Sequence, residues 1–167
     1  VVLNNAGIMR PEDPTEAEVE TAEATIATNL LGPIRLTTAL LPHLLGKDDA
    51  TVLTVSSGLA FVPRATFPTY CATKAAVHSW SMSLGHQLSD TSVQVIELAP
   101  PYVQTELTGA HQANDPNAMP LADYISETMK LLETQPDARE ILVGRVEPLR
   151  WAERDGKFDQ VFGHLNG

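Results

Sequence analysis

Cysteine is almost missing from this 167-residue chain: Cys71 stands alone, so no intrachain disulfide can close. Basic residues are scarce as well. Eleven lysines and arginines against twenty-one acidic residues leave a net charge of −10, a field that repels phosphate backbones and anionic lipid, so neither nucleic acid nor a membrane surface is expected as a partner. No apolar run is long enough to span a bilayer and no signal-peptide pattern is present, which makes the cytoplasm the default expectation. Internal repeats, low-complexity tracts and linkers are lacking too, so residues 1–167 are expected to form a single unit. Its 43% hydrophobic content is that of an ordinary globule. The five histidines, His43, His78, His86, His111 and His164, show no metal-ligand spacing with one another or with Cys71, and no metal is expected.

What is present alternates. Val1 to Leu3, stopped by Asn4-Asn5-Ala6-Gly7, reads as a buried strand and turn. Thr15 with Glu18 forms a capping box, and apolar residues then recur at helical spacing from Val19 to Leu45, predicting one long helix from about Thr15. Pro33 falls inside it and has no N–H for the carbonyl of Asn29, so a kink is expected there. Thr51 to Val55 reads as a second strand and Thr69 to Leu88 as a second long helix, with a small-residue side of Ala72, Ala75, Ala76, Ser79 and Ser83. Val93 to Leu98 is a third strand, and the polar stretch Thr108 to Met119 reads as a mobile loop. A helix over Leu121 to Leu132, a short strand at Ile141 to Val143 and a terminal helix over Glu147 to Phe162 complete the pattern. Such alternation predicts a parallel α/β sheet.

Chemistry concentrates in four places: Asn4-Asn5-Ala6-Gly7, Asn29, Ser57, and Tyr70-x-x-x-Lys74 at the start of the second long helix. Tyr70 and Lys74, four apart, share a helix face. A neighbouring ammonium favours phenolate and is expected to bring the phenol below its ordinary value of about 10, toward general acid/base use. Cys71, beside the tyrosine in sequence, points elsewhere on the helix and is expected to be a packed thiol. Each feature alone has a bland reading as a turn or surface residue; in this order they point to a site at strand ends, where α/β sheets place ligands.

In this order and spacing, with thirteen residues from Ser57 to Tyr70, the set resembles the short-chain dehydrogenase/reductase family over nearly the whole chain. The resemblance implies the C-terminal part of a doubly wound, Rossmann-like parallel sheet, beginning at the family's fourth strand. It implies an oxidoreductase interconverting an alcohol and a carbonyl with NAD or NADP, with Asn29, Ser57, Tyr70 and Lys74 as the catalytic set. By the same resemblance Asn5, Ala6, Gly7, Tyr70, Lys74, Pro100, Val103 and Thr105 hold the cofactor, and the two long helices pair copies into a homodimer or homotetramer. The tail from Ile141-Leu142-Val143 through Trp151 to Asn166 resembles a branch labelled DltE-like oxidoreductases.

The sequence departs from the family in two respects. No Gly-x-x-x-Gly-x-Gly turn is present, and neither is the residue that separates NAD from NADP. The opening within an apolar run reads as an element cut through, the piece of a longer enzyme; the alternative is an inactive interaction or dimerisation module. Pro101 stands where the family usually has glycine, which removes a backbone donor from that loop.

Overall fold

A computed structural model describes residues 1–16 and 19–167. Four parallel strands, β1 (Val2–Asn4), β2 (Ala50–Val55), β3 (Val93–Leu98) and β4 (Glu140–Ile141), lie side by side in chain order. Val2 is in register with Val52, Leu53 with Ile96 and Leu98 with Ile141. The period of two splits each strand between faces. Ala50, Val52, Val93 and Val95 face a core closed by Leu44, Leu84 and Leu88, whereas Ile96, Leu98 and Ile141 face the opposite way and meet Leu131 and Leu132. Each fully buried aliphatic chain contributes about 1.5–3 kcal/mol, and two such layers explain why helices occupy both faces.

The first long helix begins later than its pattern predicts. Thr15 donates its backbone N–H and its hydroxyl to Asp13 Oδ1, at 2.8 and 2.6 Å, in a local turn that keeps it outside the helix. Its expected box partner Glu18 lies outside the described residues. Helix α1 covers Glu20–Ile26, a π-helical segment covers Ala27–Leu31, and α2 continues from Gly32–Leu45. The widened turn, marked by Gly32 N–H donating to Ala27 C=O, sits immediately before Pro33 and absorbs the missing donor as a change of register.

Helix α3 (Pro68–Gln87) matches its predicted span within a residue. The stretch 108–119 does not behave as an unstructured loop. It contains the short helix α4 (Ala110–Ala113), and Gln112, 4% exposed, ties it down by donating to Val103 C=O at 2.8 Å while accepting from Thr108. Helix α5 (Leu121–Thr134) lies on the second face of the sheet. β4 is shorter than expected because Val143 leaves the ladder for a separate core with Val103, Met119 and Val146. The terminal helix is two, α6 (Glu147–Arg150) and α7 (Phe158–Asn166), separated by a run of turns over 151–156 whose last residue, Gly156, takes a left-handed φ of 66°. Among the described residues no helix is long and apolar enough to cross a membrane.

Gly58 opens a short 3-10 turn (Gly58–Ala60) beneath α6. A Cβ there would lie 2.8 Å from both Leu149 Cδ1 and Val146 Cγ2, the latter on a fully buried valine. Gly58→Ala is therefore expected to destabilise by about 1–3 kcal/mol, read as a lowered midpoint in chemical denaturation. An unchanged midpoint would show that α6 yields freely.

Candidate active site

The C-terminal ends of β1, β2 and β3 open on one cavity of about 800 Å³, lined among others by Asn5, Ala6 and Gly7 after β1, Ser57 after β2, and Pro100, Val103 and Thr105 after β3. Tyr70 and Lys74 enter from the first turns of α3. Nine of the ten residues expected from sequence thus line one cavity. Asn29 stands behind it. Its amide accepts from Ile8 N–H at 2.8 Å, donates to Ile8 C=O at 2.9 Å and donates to Thr73 Oγ1 at 3.2 Å, clamping the Asn5–Gly7 turn between the π segment and α3.

Each catalytic candidate is positioned by local chemistry. The loop after β2 is fixed by Gly58 N–H donating to Pro100 C=O at 2.8 Å. Ser56 is 1% exposed and its hydroxyl is directed to Leu98 C=O, while Ser57, in extended backbone, accepts from Leu59 N–H at 3.1 Å and keeps its hydroxyl on the cavity. Lys74 is 5% exposed; its Nζ donates to Val55 C=O at 2.7 Å and lies 5.6 Å from the centre of the Tyr70 ring. A Cβ on Gly7 would come within 3.7 Å of that Nζ and 3.4 Å of Asn29 Oδ1, so the turn crosses the lysine as bare backbone.

The electrostatics correct one expectation. Burial pushes the Tyr70 phenol up to about 12, opposed by a hydrogen bond from Ser57 and reinforced by the nearby Cys71. Lys74 does not offset this. Burial lowers the lysine itself to about 8, with the Glu97 carboxylate working the other way. Desolvation is the largest cause at both groups, which the i, i+4 spacing alone could not reveal. At neutral pH the phenol therefore carries its proton. Cys71 is 3% exposed and burial pushes its thiol up, so it is a packed thiol, as its place on the helix implied.

Three contributors were not picked out from the sequence. Glu12 accepts from Thr69 N–H at 3.1 Å and from Thr69 Oγ1 at 2.6 Å, capping the start of α3 one residue before Tyr70. Gln112 donates to Thr105 Oγ1 at 3.1 Å, so it steadies a cavity residue as well as its own loop. Neither carries a local signal, because its partner is distant in sequence or decided by the loop. Glu97 did carry one, a carboxylate inside the apolar strand Val93–Leu98; its side chain meets His78.

A family model described as short chain dehydrogenase matches residues 1–116. The chain is 40% identical over 171 residues to a protein of Bacillus subtilis named uncharacterized oxidoreductase DltE, covering 99% of this chain and 67% of that one. A crystal structure of a short chain dehydrogenase from Burkholderia cenocepacia in complex with NADP superposes with TM-score 0.82 at 21% identity, over 98% of this chain and 69% of the other. The closed form of serine dehydrogenase complexed with NADP+ does so with TM-score 0.69 at 27% identity, over 83% and 60%.

Proposed function

The chain belongs to the short-chain dehydrogenase family, and from that premise we propose that it carries the catalytic centre of an NAD(P)-dependent oxidoreductase interconverting an alcohol and a carbonyl. The observation that carries the reading is the convergence of Ser57, Tyr70 and Lys74 on one cavity beneath the Asn5–Gly7 turn. Relatives of similar fold are described with NADP or NADPH bound, which supports the cofactor class.

The cavity suits a nicotinamide nucleotide. The turn at Gly7 passes the buried Lys74 ammonium, a Cβ there lying 3.7 Å from Nζ, and Pro100, Val103 and Thr105 line the same cavity. These residues, with Asn5, Ala6 and Tyr70, are the ones proposed to hold it. When bound, the nucleotide supplies or accepts a hydride.

The chain's own residues do the rest. Ser57, its hydroxyl on the cavity and facing Tyr70, orients the substrate oxygen by hydrogen bonding. Tyr70, protonated at neutral pH, donates to a carbonyl oxygen as charge develops on it, or takes the proton back from an alcohol. Lys74, between Val55 C=O and the tyrosine ring, stabilises the phenolate left behind. Asn29 keeps the Asn5–Gly7 turn in place. Leu107, Leu121 and Ile125 give the cavity an apolar outer end, which suits the carbon chain of a small aldehyde, ketone or alcohol. The assembly we propose is a homodimer or homotetramer through α2 and α3, whose Leu36, Met82, Ser79 and Ser83 are exposed in the single chain.

The reading is tested by adding NADH or NADPH and a panel of aldehydes and ketones to the protein containing this chain and following nicotinamide absorbance. Oxidation of either cofactor that depends on added carbonyl is expected. Absence of turnover across the panel and in the reverse direction with alcohols, while copies still associate in sedimentation, would instead support the interaction module.

A further inference from the structure

Every hydrogen-bonding position of the Gln112 side-chain amide is used, and one of them acts on the lining of the cavity. Oε1 accepts from Thr108 N–H at 3.1 Å and from Thr108 Oγ1 at 2.7 Å, while Nε2 donates to Val103 C=O at 2.8 Å and to Thr105 Oγ1 at 3.1 Å. The two backbone partners settle which end of the amide is which. Turned over, it would set N–H against the N–H of Thr108 and oxygen against the carbonyl of Val103. The second proton of Nε2 is therefore aimed at the Thr105 hydroxyl oxygen.

The segment that carries this contact is closed at its neck. Val103 bridges to Met119, with Met119 N–H donating to Tyr102 C=O at 2.8 Å and Gln104 N–H to Met119 C=O at 2.9 Å. Gln104 Nε2 donates to Asp115 C=O and the Tyr102 hydroxyl to the Asp115 carboxylate, each at 3.1 Å. Gln112 is thus held in a built loop, and its geometry against Thr105 is set before anything enters the cavity.

A hydroxyl has one proton to give and two lone pairs to fill. At Thr105 both lone pairs have donors facing them, Gln112 Nε2 at 3.1 Å and Leu107 N–H at 3.4 Å, and the proton has no acceptor among the described residues. Thr105 is half-buried and lines the cavity. What its hydroxyl has left to offer an occupant is the proton.

Resting on the proposed nucleotide site, we infer that Gln112 is a positioning residue that makes Thr105 a hydrogen-bond donor, so that Thr105 binds the carbonyl oxygen of the nicotinamide carboxamide and not its nitrogen. A carboxamide carries an acceptor at one end and donors at the other, in nearly the same shape, so a donor in the lining selects one of its two orientations. Glutamate could not replace Gln112 in this role, because an ionised carboxylate has no proton for Val103 or Thr105.

The test is a binding cycle, independent of turnover. The affinity of NADH or NADPH, whichever binds more tightly, and of its analogue bearing a methyl ketone in place of the carboxamide, is measured by calorimetry on the protein containing this chain. Thr105→Val should weaken both nucleotides by the same factor, about fivefold for one hydrogen bond, because both keep the oxygen; Thr105→Ser should stay near wild type. Gln112→Leu should weaken both by about threefold, and should cost nothing further when Thr105→Val is already present, since it acts through that hydroxyl. A loss confined to the parent nucleotide in Thr105→Val would place the bond on nitrogen and overturn the inference. So would a Gln112→Leu loss that persists in full in the Thr105→Val background, the mark of a residue that only holds its loop. Should Gln112→Leu fail to fold, Gln112→Glu keeps the acceptor for Thr108 and puts oxygen in place of Nε2; wild-type affinity there sinks the idea. A wild type that binds neither nucleotide overturns the cofactor reading and this one together, whereas binding that ignores Thr105 overturns this one alone.

Discussion

Tyr70→Phe is expected to lower turnover by about 10²–10⁴-fold, the range by which a positioned proton donor accelerates a reaction, while nucleotide affinity changes by no more than a few-fold. The substitution removes one oxygen. The ring keeps its packing, Lys74 keeps Val55 C=O at 2.7 Å and its place 5.6 Å from the ring centre, and Ser57 keeps its cavity-facing position. The transferable proton and the hydrogen bond with Ser57 are lost. Because the phenol is held at about 12, the wild-type reductive rate should show no loss from deprotonation of free Tyr70 between pH 6 and 9. Steady-state kinetics with a competent aldehyde or ketone, together with a nucleotide titration by fluorescence, checks both halves; wild-type rates in the variant would remove Tyr70 from the mechanism.

The second large effect runs in opposite directions for activity and stability. Lys74→Met should abolish measurable turnover, since the phenolate formed on proton transfer then has no cation beside it, and yet make the fold more stable at pH 7. The lysine falls from 10.5 when free to about 8 when buried. Below about pH 8 both folded and unfolded states hold the proton, and the folded state bears the desolvation, about 3 kcal/mol at roughly 1.4 kcal/mol per unit. Loss of the bond to Val55 C=O returns about 1 kcal/mol of that. The variant should thus gain about 2 kcal/mol at neutral pH by this accounting. Between pH 8 and 10.5 the unfolded chain binds more protons than the folded one, so wild-type stability rises with pH and the advantage shrinks. Urea unfolding of both proteins at pH 7 and pH 10 measures it. A variant no more stable at pH 7 would mean the ammonium is better solvated than its 5% exposure implies.

Under the proposed mechanism the cost of burying Lys74 has a use. A lysine at the surface would be comfortable and, on that reading, ineffective, because water would screen the phenolate it is proposed to stabilise. The protein accepts the cost of burial at Lys74 and offsets part of it with a backbone carbonyl and the carboxylate of Glu97.

How far the sequence could be read depends on the range of the interactions involved. β3 and α3 were legible to within a residue because aliphatic alternation and an uninterrupted helical run are local properties. The site was legible because short turns at strand ends and a four-residue helical step confine its members: nine of ten expected residues line the cavity. Where the outcome turned on distant partners, local reading fell short. Thr15 had Asp13 within reach and bonded it in preference to a helix end. The 108–119 stretch looked polar and loose, yet Gln112 finds Val103 C=O inside the protein. The final helix ended at Arg150 and resumed only at Phe158, after turns that include Gly156 at φ 66°, which a continuous apolar pattern does not disclose.

By itself, the sequence determined the alternating parallel architecture, the motif set at the strand ends and the chemical types present in the site, since these follow from periodicity and from the residues themselves. Tertiary structure alone decided the energetics. Whether Lys74 acidifies Tyr70 or is itself stripped of water, and whether the carboxylate of Glu97 meets solvent or His78, depends on depth and on neighbours from other elements. The reason is that Coulomb and desolvation energies are set by distance and surrounding dielectric in three dimensions, and the order of residues along a chain specifies neither until the sheet and α3 have closed over them.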